Sequence, residues 1–224
     1  MKAQLWPFIK RLGEIRSHGL PGRHDNEEAI GEETMTGYIT LAFMLGVFTW
    51  SLAEYCIHRW LGHNKKLIKN PFGAEHTAHH SKGNYFSPSW KKLLAALGVV
   101  ALTIAPAILI AGPVYGSAWV LGFVSFYLYY EMFHRLEHIS EGSWFYTRWV
   151  RRHHFHHHFH NPRVNHGVTS PLWDFVFGTF EASGQILVPV KLKMVWLTDP
   201  ETGEVWDHLK SDYQLRHPKR RVRK

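Results

Sequence analysis

The sequence predicts an all-α membrane protein of about three to four transmembrane helices, with a histidine-rich helical cap on the cytoplasmic side. Three observations predict it. Apolar residues collect into three runs of 20 or 21 residues, a Gly112-Pro113 pair joins two of those runs, and ten histidines stand in four short boxes at or beyond the ends of the runs.

The chain has 224 residues, enough for one domain with a proper core. Its 10 Trp, 9 Tyr and 14 Phe suit a protein with aromatic belts at a membrane interface. The mean hydropathy of −0.23 averages over apolar runs and charged, histidine-rich stretches that are sharply segregated. Cys56 is the single cysteine, so an internal disulfide and a multi-thiolate metal site are both excluded.

Residues 1–33 read as a polar or interfacial N-terminal segment. The Leu5-Trp6-Pro7-Phe8-Ile9 patch is too short for the apolar region of a secretory signal. Residues 34–183 read as the transmembrane and histidine-box domain. The first apolar run, Gly37 to Ile57, is 21 residues long and spans a hydrocarbon core of about 30 Å. Glu54 is its only charge, expected either at the interface or as the partner of a nearby histidine.

The second and third runs are Leu93 to Gly112 and Val114 to Phe133. The Gly-Pro pair between them predicts a tight turn and a transmembrane hairpin, with Pro106 expected to kink its first arm. Lys91 and Lys92 precede the hairpin and Arg135 follows it, so the positive-inside bias puts both ends on the cytoplasmic side. A hairpin returns the chain to the side it left, and the boxes flanking it therefore meet on one face. The side of the N-terminus stays open. Counting spans puts it opposite the boxes, whereas Lys2, Lys10, Arg11, Arg16 and Arg23 argue for the same side.

The boxes are His58 and His63; His76, His79 and His80; His134 and His138; and His154, His157 and His158. Residues three and four apart share a helix face, so each of the last three boxes would present its imidazoles side by side. His18, His24, His208 and His217 stand alone and read as ordinary surface or core residues. Ten imidazoles are too many for one metal ion and suit two. Imidazole is a ligand for Fe, Zn, Cu and Ni. Two such metals with open positions facing each other would take a small bridging molecule, dioxygen if the metals are iron. The membrane setting points to an aliphatic chain as what is oxidised, because its C–H bonds offer a protein no acid or base to work on.

Together the boxes HRWLGH (58–63), HTAHH (76–80), HRLEH (134–138) and HFHHH (154–158) resemble those of the fatty acid hydroxylase/sterol desaturase superfamily. These are integral-membrane, histidine-box di-iron oxygenases. The AEYCIHRWLGH and HHFHNPRVNHGVTSPLWDFVFGT stretches are similar to the fatty acid hydroxylase branch, and the likeness covers roughly Glu54 to Phe180.

The resemblance implies that the ten box histidines ligate two Fe ions, with O2 as co-substrate and Zn able to occupy the same imidazoles in purified protein. It implies an O2-dependent hydroxylase acting on an acyl chain, with C2 as a candidate position. A sterol-type C–H oxidase or desaturase is the alternative, and a non-catalytic metal-binding or transport protein a remote one. The last box has a competing register, because His153, His156 and His157 also fit its pattern. Glu54, Asp174, His153, His156 and His166 are candidates for supporting the ligands from behind.

Relatives of this kind often carry a fused cytochrome b5 domain, for which this chain has no room. A separate electron donor is therefore expected: cytochrome b5, ferredoxin or rubredoxin with a reductase. The remaining expected partners are the lipid substrate and the membrane itself, either a bacterial inner membrane or endoplasmic reticulum. Residues 184–224 read as a C-terminal cytoplasmic segment. Its basic tail, Arg216, Lys219, Arg220, Arg221, Arg223 and Lys224, faces anionic lipid rather than nucleic acid, since no recognition motif accompanies it.

Overall fold

A computed structural model describes residues 23–64, 66 and 69–218, with side chains in the first helix described from residue 30 onward. Residues 1–22 of the polar or interfacial segment expected over residues 1–33, and the tail residues 219–224, lie outside the described residues. The first helix, α1 (Arg23–Cys56), runs without a break through position 33. It continues as a π-helical turn, Ile57–His63. Then follow α2 (Pro71–Lys82), the long helical element α3 (Ser89–Ile139), α4 (Phe145–Phe159) and the short α5 (Leu172–Val176).

Within α3, Gly112 is the one residue that leaves helical geometry, at φ 78° and ψ 167°. A side chain would be strained there, and Pro113 cannot donate a backbone hydrogen bond across the break, so the helix folds back at this pair. The two arms, 89–111 and 113–139, lie against each other. A Cβ on Gly116 would come within 2.5 Å of the Ala107 carbonyl, and Lys92 pairs with Glu131 at the open end. The hairpin is thus as expected, and Pro106 keeps helical φ/ψ within its arm.

Helix α1 packs into the hairpin through two glycines. A Cβ on Gly46 would meet the Trp119 carbonyl at 2.0 Å, and one on Gly122 would meet the Phe43 carbonyl at 2.0 Å. Small residues on both sides let the backbones touch, as in helix pairs inside membranes. Trp50 then fills the next layer against Phe123, Tyr127 and Tyr130. The outward faces are apolar: Leu102, Leu109 and Ile110 are 77%, 85% and 86% exposed. Two helical elements, Ile30–His63 and Ser89–Ile139, are long and apolar enough to cross a membrane.

The fold is mostly helical, but the all-α expectation needs one correction in the C-terminal segment. Strands β1 (Ile186–Pro189) and β2 (Tyr213–Arg216) pair in parallel, with Ile186 opposite Tyr213 and Pro189 opposite Arg216. Alternate burial along β1 puts Ile186 and Val188 into a core with Phe155, Met194, Leu197 and Leu209. That core sits behind α4, so the segment braces the histidine helix. Trp196 Nε1 donates to the His138 carbonyl at 3.1 Å, and Arg152 pairs with Asp212 at 2.9 Å.

Candidate metal centre

Each box has a local reason for its shape. His58 and His63 are five residues apart, which on an α-helix turns them well away from each other. The chain is π-helical here, and its wider turn relates residue i to i+5, so both imidazoles reach the same site. In α2, Asn70 caps the first turn by accepting from the Gly73 amide at 2.7 Å, and Pro71 takes the first helical position. The third box closes α3, with His138 in its last turn. The fourth lies in α4, where His154, Phe155 and His157 are fully buried.

The ten box histidines assemble into two groups of five. His58, His63, His76, His80 and His157 form one, and His79, His134, His138, His154 and His158 form the other, each with its ligand atoms within 4.8 Å of one another. Both α2 and α4 feed both groups: pairs four apart (76 and 80, 154 and 158) stay together, while His79 and His157 cross to the other side. The groups touch where His80 and His158 stack, ring centres 4.0 Å apart and planes 7° from parallel.

The nitrogens crowd as ligands do. Nε2 of His76 lies 3.1 Å from Nε2 of His58, 2.8 Å from that of His63 and 3.0 Å from that of His80. One ring nitrogen carries one proton or one lone pair, so three such contacts cannot all be hydrogen bonds. Two imidazole nitrogens at right angles around a metal, each bonded at 2.0–2.1 Å, would be about 2.9 Å apart. In the second group the His134–His79 and His138–His154 pairs are both at 3.0 Å.

Outer hydrogen bonds set the tautomers. Nδ1 of His58 donates to the His166 carbonyl at 2.5 Å, that of His79 to Tyr85 at 2.7 Å, and that of His157 to Val164 at 2.7 Å. With Nδ1 as donor, the Nε2 lone pair faces inward, an arrangement typical of metal-bound histidines. Burial pushes His76, His154, His157 and His158 well below the ordinary imidazole range, and the neighbouring imidazoles push further. His79 is lowered to about 4 and His80 to about 2, again chiefly by burial. These rings are neutral near pH 7, the form that binds a metal. The donor set, spacing and protonation state all fit two divalent ions.

The supporting candidates do different work from one another. Glu54 meets no box histidine: its carboxylate accepts from the Val168 and Thr169 amides at 2.7 and 2.9 Å and from the Thr169 hydroxyl at 2.7 Å. Asp174 accepts from the His166 and Gly167 amides, both at 2.8 Å, and from the Thr179 hydroxyl at 2.7 Å. Burial raises Asp174, but the hydrogen bonds from His153, Gly167 and Thr179 outweigh it and leave its pKa below the usual value. The two carboxylates thus clamp the 166–169 loop, whose His166 carbonyl holds His58.

His153 lies outside both groups, 3.1 Å from Asp174, and His156 lies 3.2 Å from Glu181. The His166 ring sits 5.2 Å from that of His157, beside the first group rather than in it. Sequence reasoning missed Tyr85 and Val164, which act through backbone carbonyls and leave no side-chain signal, and Glu137, hidden inside a box.

A cavity of about 470 Å³ reaches the histidines from the hairpin side. His58, His76, His79 and His134 are in its lining, together with the apolar Ala96, Val100 and Phe123. Lys91, paired with Glu75 at 2.6 Å, and Lys92, paired with Glu131, add polar groups to the lining.

The fatty acid hydroxylase family model matches residues 43–179, which include all four boxes. The chain is 32% identical to the fatty acid 2-hydroxylase of Homo sapiens over 61% of this chain and 38% of that protein. It is 31% identical to the ceramide very long chain fatty acid hydroxylase of Schizosaccharomyces pombe, over 66% of this chain and 46% of that one. A dihydroceramide fatty acyl 2-hydroxylase of Arabidopsis thaliana is 30% identical over 63% of this chain and 61% of that protein. The chain therefore spans well under half the length of its mammalian relatives. Among solved structures, full-length scs7p, with its hydroxylase domain visible, aligns at a TM-score of 0.52 and 25% identity over 67% of this chain and 59% of that one. With more than half of its residues under the family model, and the box histidines gathered in two groups, the chain belongs to the fatty acid hydroxylase family.

Proposed function

We propose that the chain is a membrane-bound lipid hydroxylase that inserts one oxygen atom of O2 into a fatty acyl chain at C2. The observation that carries this reading is an apolar cavity between α1 and the hairpin that has imidazoles of both histidine groups in its lining. The ten box histidines would hold two iron ions, five donors each. When bound, the ions supply the O2 activation and one-electron chemistry that no side chain here can provide. The other oxygen atom leaves as water, which requires two electrons from a redox donor and two protons.

The chain's own contribution is position and dryness. Ala96, Val100 and Phe123 hold the acyl chain apart from water. The Glu54 and Asp174 clamps fix the loop behind His58, and the Nδ1 hydrogen bonds keep Nε2 lone pairs turned inward. Oxidation at C2 fits a polar head retained near the histidine end, where the Lys91–Glu75 and Lys92–Glu131 pairs lie, with the tail running between the apolar arms. The relatives named as 2-hydroxylases support the same carbon. In this reading α1 and the two arms are three spanning segments, within a membrane and catalytic unit of residues 34–183 that residues 184–218 brace. The boxes then lie on the cytoplasmic side, as Lys91, Lys92 and Arg135 indicate.

Mass spectrometry of lipids from cells producing the wild type or His157→Ala tests the reading. The expected result is an acyl species carrying one extra oxygen atom at C2 in the wild type alone. A new double bond with no hydroxylated product would replace hydroxylation by desaturation. A lipid profile identical for the two proteins would remove the oxidative role.

A further inference from the structure

The second histidine group has a neighbour that no box pattern assigns. Glu137 lies in the last turn of α3 between His134 and His138, is 0% exposed, and has no hydrogen-bond partner on either carboxylate oxygen. Its Oε2 is 4.0 Å from Nε2 of His154. Arg151 is the cation nearby and attracts Glu137 through space, but its hydrogen bonds go to the carbonyls of Leu136, Ser140 and Thr147 and to the Ser140 hydroxyl rather than to the carboxylate. A buried carboxylate that accepts no hydrogen bond is costly, and folded chains keep one only where something else compensates it. Among the described residues the first group has no equivalent. Glu54 and Asp174, the buried carboxylates on its side, are filled by donors from residues 166–169 and 179.

We propose that Glu137 is the charge-compensating carboxylate of the second histidine group, a positioning residue that makes the group bind a divalent cation more tightly than the first. The inference rests on the reading of both groups as metal sites. Five neutral imidazoles bring no charge to a dication. A carboxylate beside His154 supplies one negative charge in a buried setting, where solvent screens it little. It also acts on one group only, so the two cation positions become inequivalent.

The test uses full-length protein in detergent, loaded with Zn2+ and titrated with a competing chelator, with bound zinc counted per chain. The wild type should hold two ions that leave in separate steps. In Glu137→Gln, which keeps shape and removes charge, one step should weaken by about 10–100-fold, the loss of one charge attraction in a buried site. The other step should not move. Glu137→Asp should bind more tightly than Glu137→Gln, because it restores the charge. The weakening should persist in a His76→Ala background, where the first group is disabled.

Equal weakening of both steps, or release of both ions from Glu137→Gln as from the wild type, would overturn the role of Glu137 and leave the metal reading standing. A wild-type chain that binds no zinc would overturn the metal reading itself.

Discussion

Gly46 is where packing inside the membrane segment and chemistry outside it can be tied together by one substitution. Gly46→Ala places a Cβ 2.0 Å from the Trp119 carbonyl oxygen and 2.8 Å from the Phe123 amide, both backbone atoms that cannot swing aside. The first distance is about 1.4 Å short of ordinary van der Waals contact, so α1 must move off the hairpin by about that much. Overpacking of this kind costs roughly 1–3 kcal/mol. The displacement is carried up a continuous helix to His58, twelve residues or about 18 Å away.

The first histidine group takes His58 and His63 from that helix, whereas the second takes nothing from it. Nitrogens that now sit 2.8–3.1 Å apart cannot keep common ligand spacing after a shift of an ångström. Gly46→Ala should therefore lose the first metal ion and keep the second, and hydroxylation should fall by about 10²-fold or more, the usual cost of a 1 Å misplacement. Gly122→Ala should act the same way from the other side of the contact. Gly98→Ala, with nothing within 4 Å of the new Cβ, is the control. Metal content per chain and hydroxylated lipid would be measured on all three variants. If Gly46→Ala holds two ions and works like Gly98→Ala, the proposed coupling between the glycine contact and the first group is wrong.

Two further outcomes follow from the protonation and register of the histidines. The unfolded chain protonates its imidazoles near their ordinary value of 6.5, while folded His79 and His166 wait until about 4. Between those values the unfolded state binds more protons. The stability these rings contribute is thus full above about pH 6.5 and drains away as pH falls toward 4. The thermal midpoint of metal-free protein should drop steadily from pH 7 to pH 4.5, and a flat profile would contradict the burial of neutral rings. For the fourth box, His154→Ala should lower zinc content from two ions toward one. His153→Ala should keep both, because its ring faces Asp174 instead; equal losses from the two variants would reopen the register.

Much of this was legible in the residues themselves. Apolar runs of membrane length must be helices because backbone groups in lipid can satisfy each other only within the segment. The Gly112-Pro113 pair must interrupt the helix because one residue tolerates positive φ and the next cannot donate. Histidines four apart on a helix must share a face. Those three facts are local, and they fixed the hairpin and the pairs 76/80, 134/138 and 154/158.

The division of ten imidazoles into two groups was not local. It depends on how α2 and α4 face each other, which sends His79 and His157 across to the opposite group. The first box reads as a poor helical pair until the chain is seen to be π-helical at residues 57–63. Glu54 and Asp174 look like ligand partners in sequence, yet they grip the backbone of a loop more than a hundred residues from Glu54. The 184–224 stretch showed only faint alternation, because two four-residue strands become a sheet only once the intervening chain brings Ile186 against Tyr213. Sequence determined which groups were present and their local spacing. Tertiary structure decided which of them meet, because nitrogens must converge within a few ångströms and only packing between distant segments sets that distance.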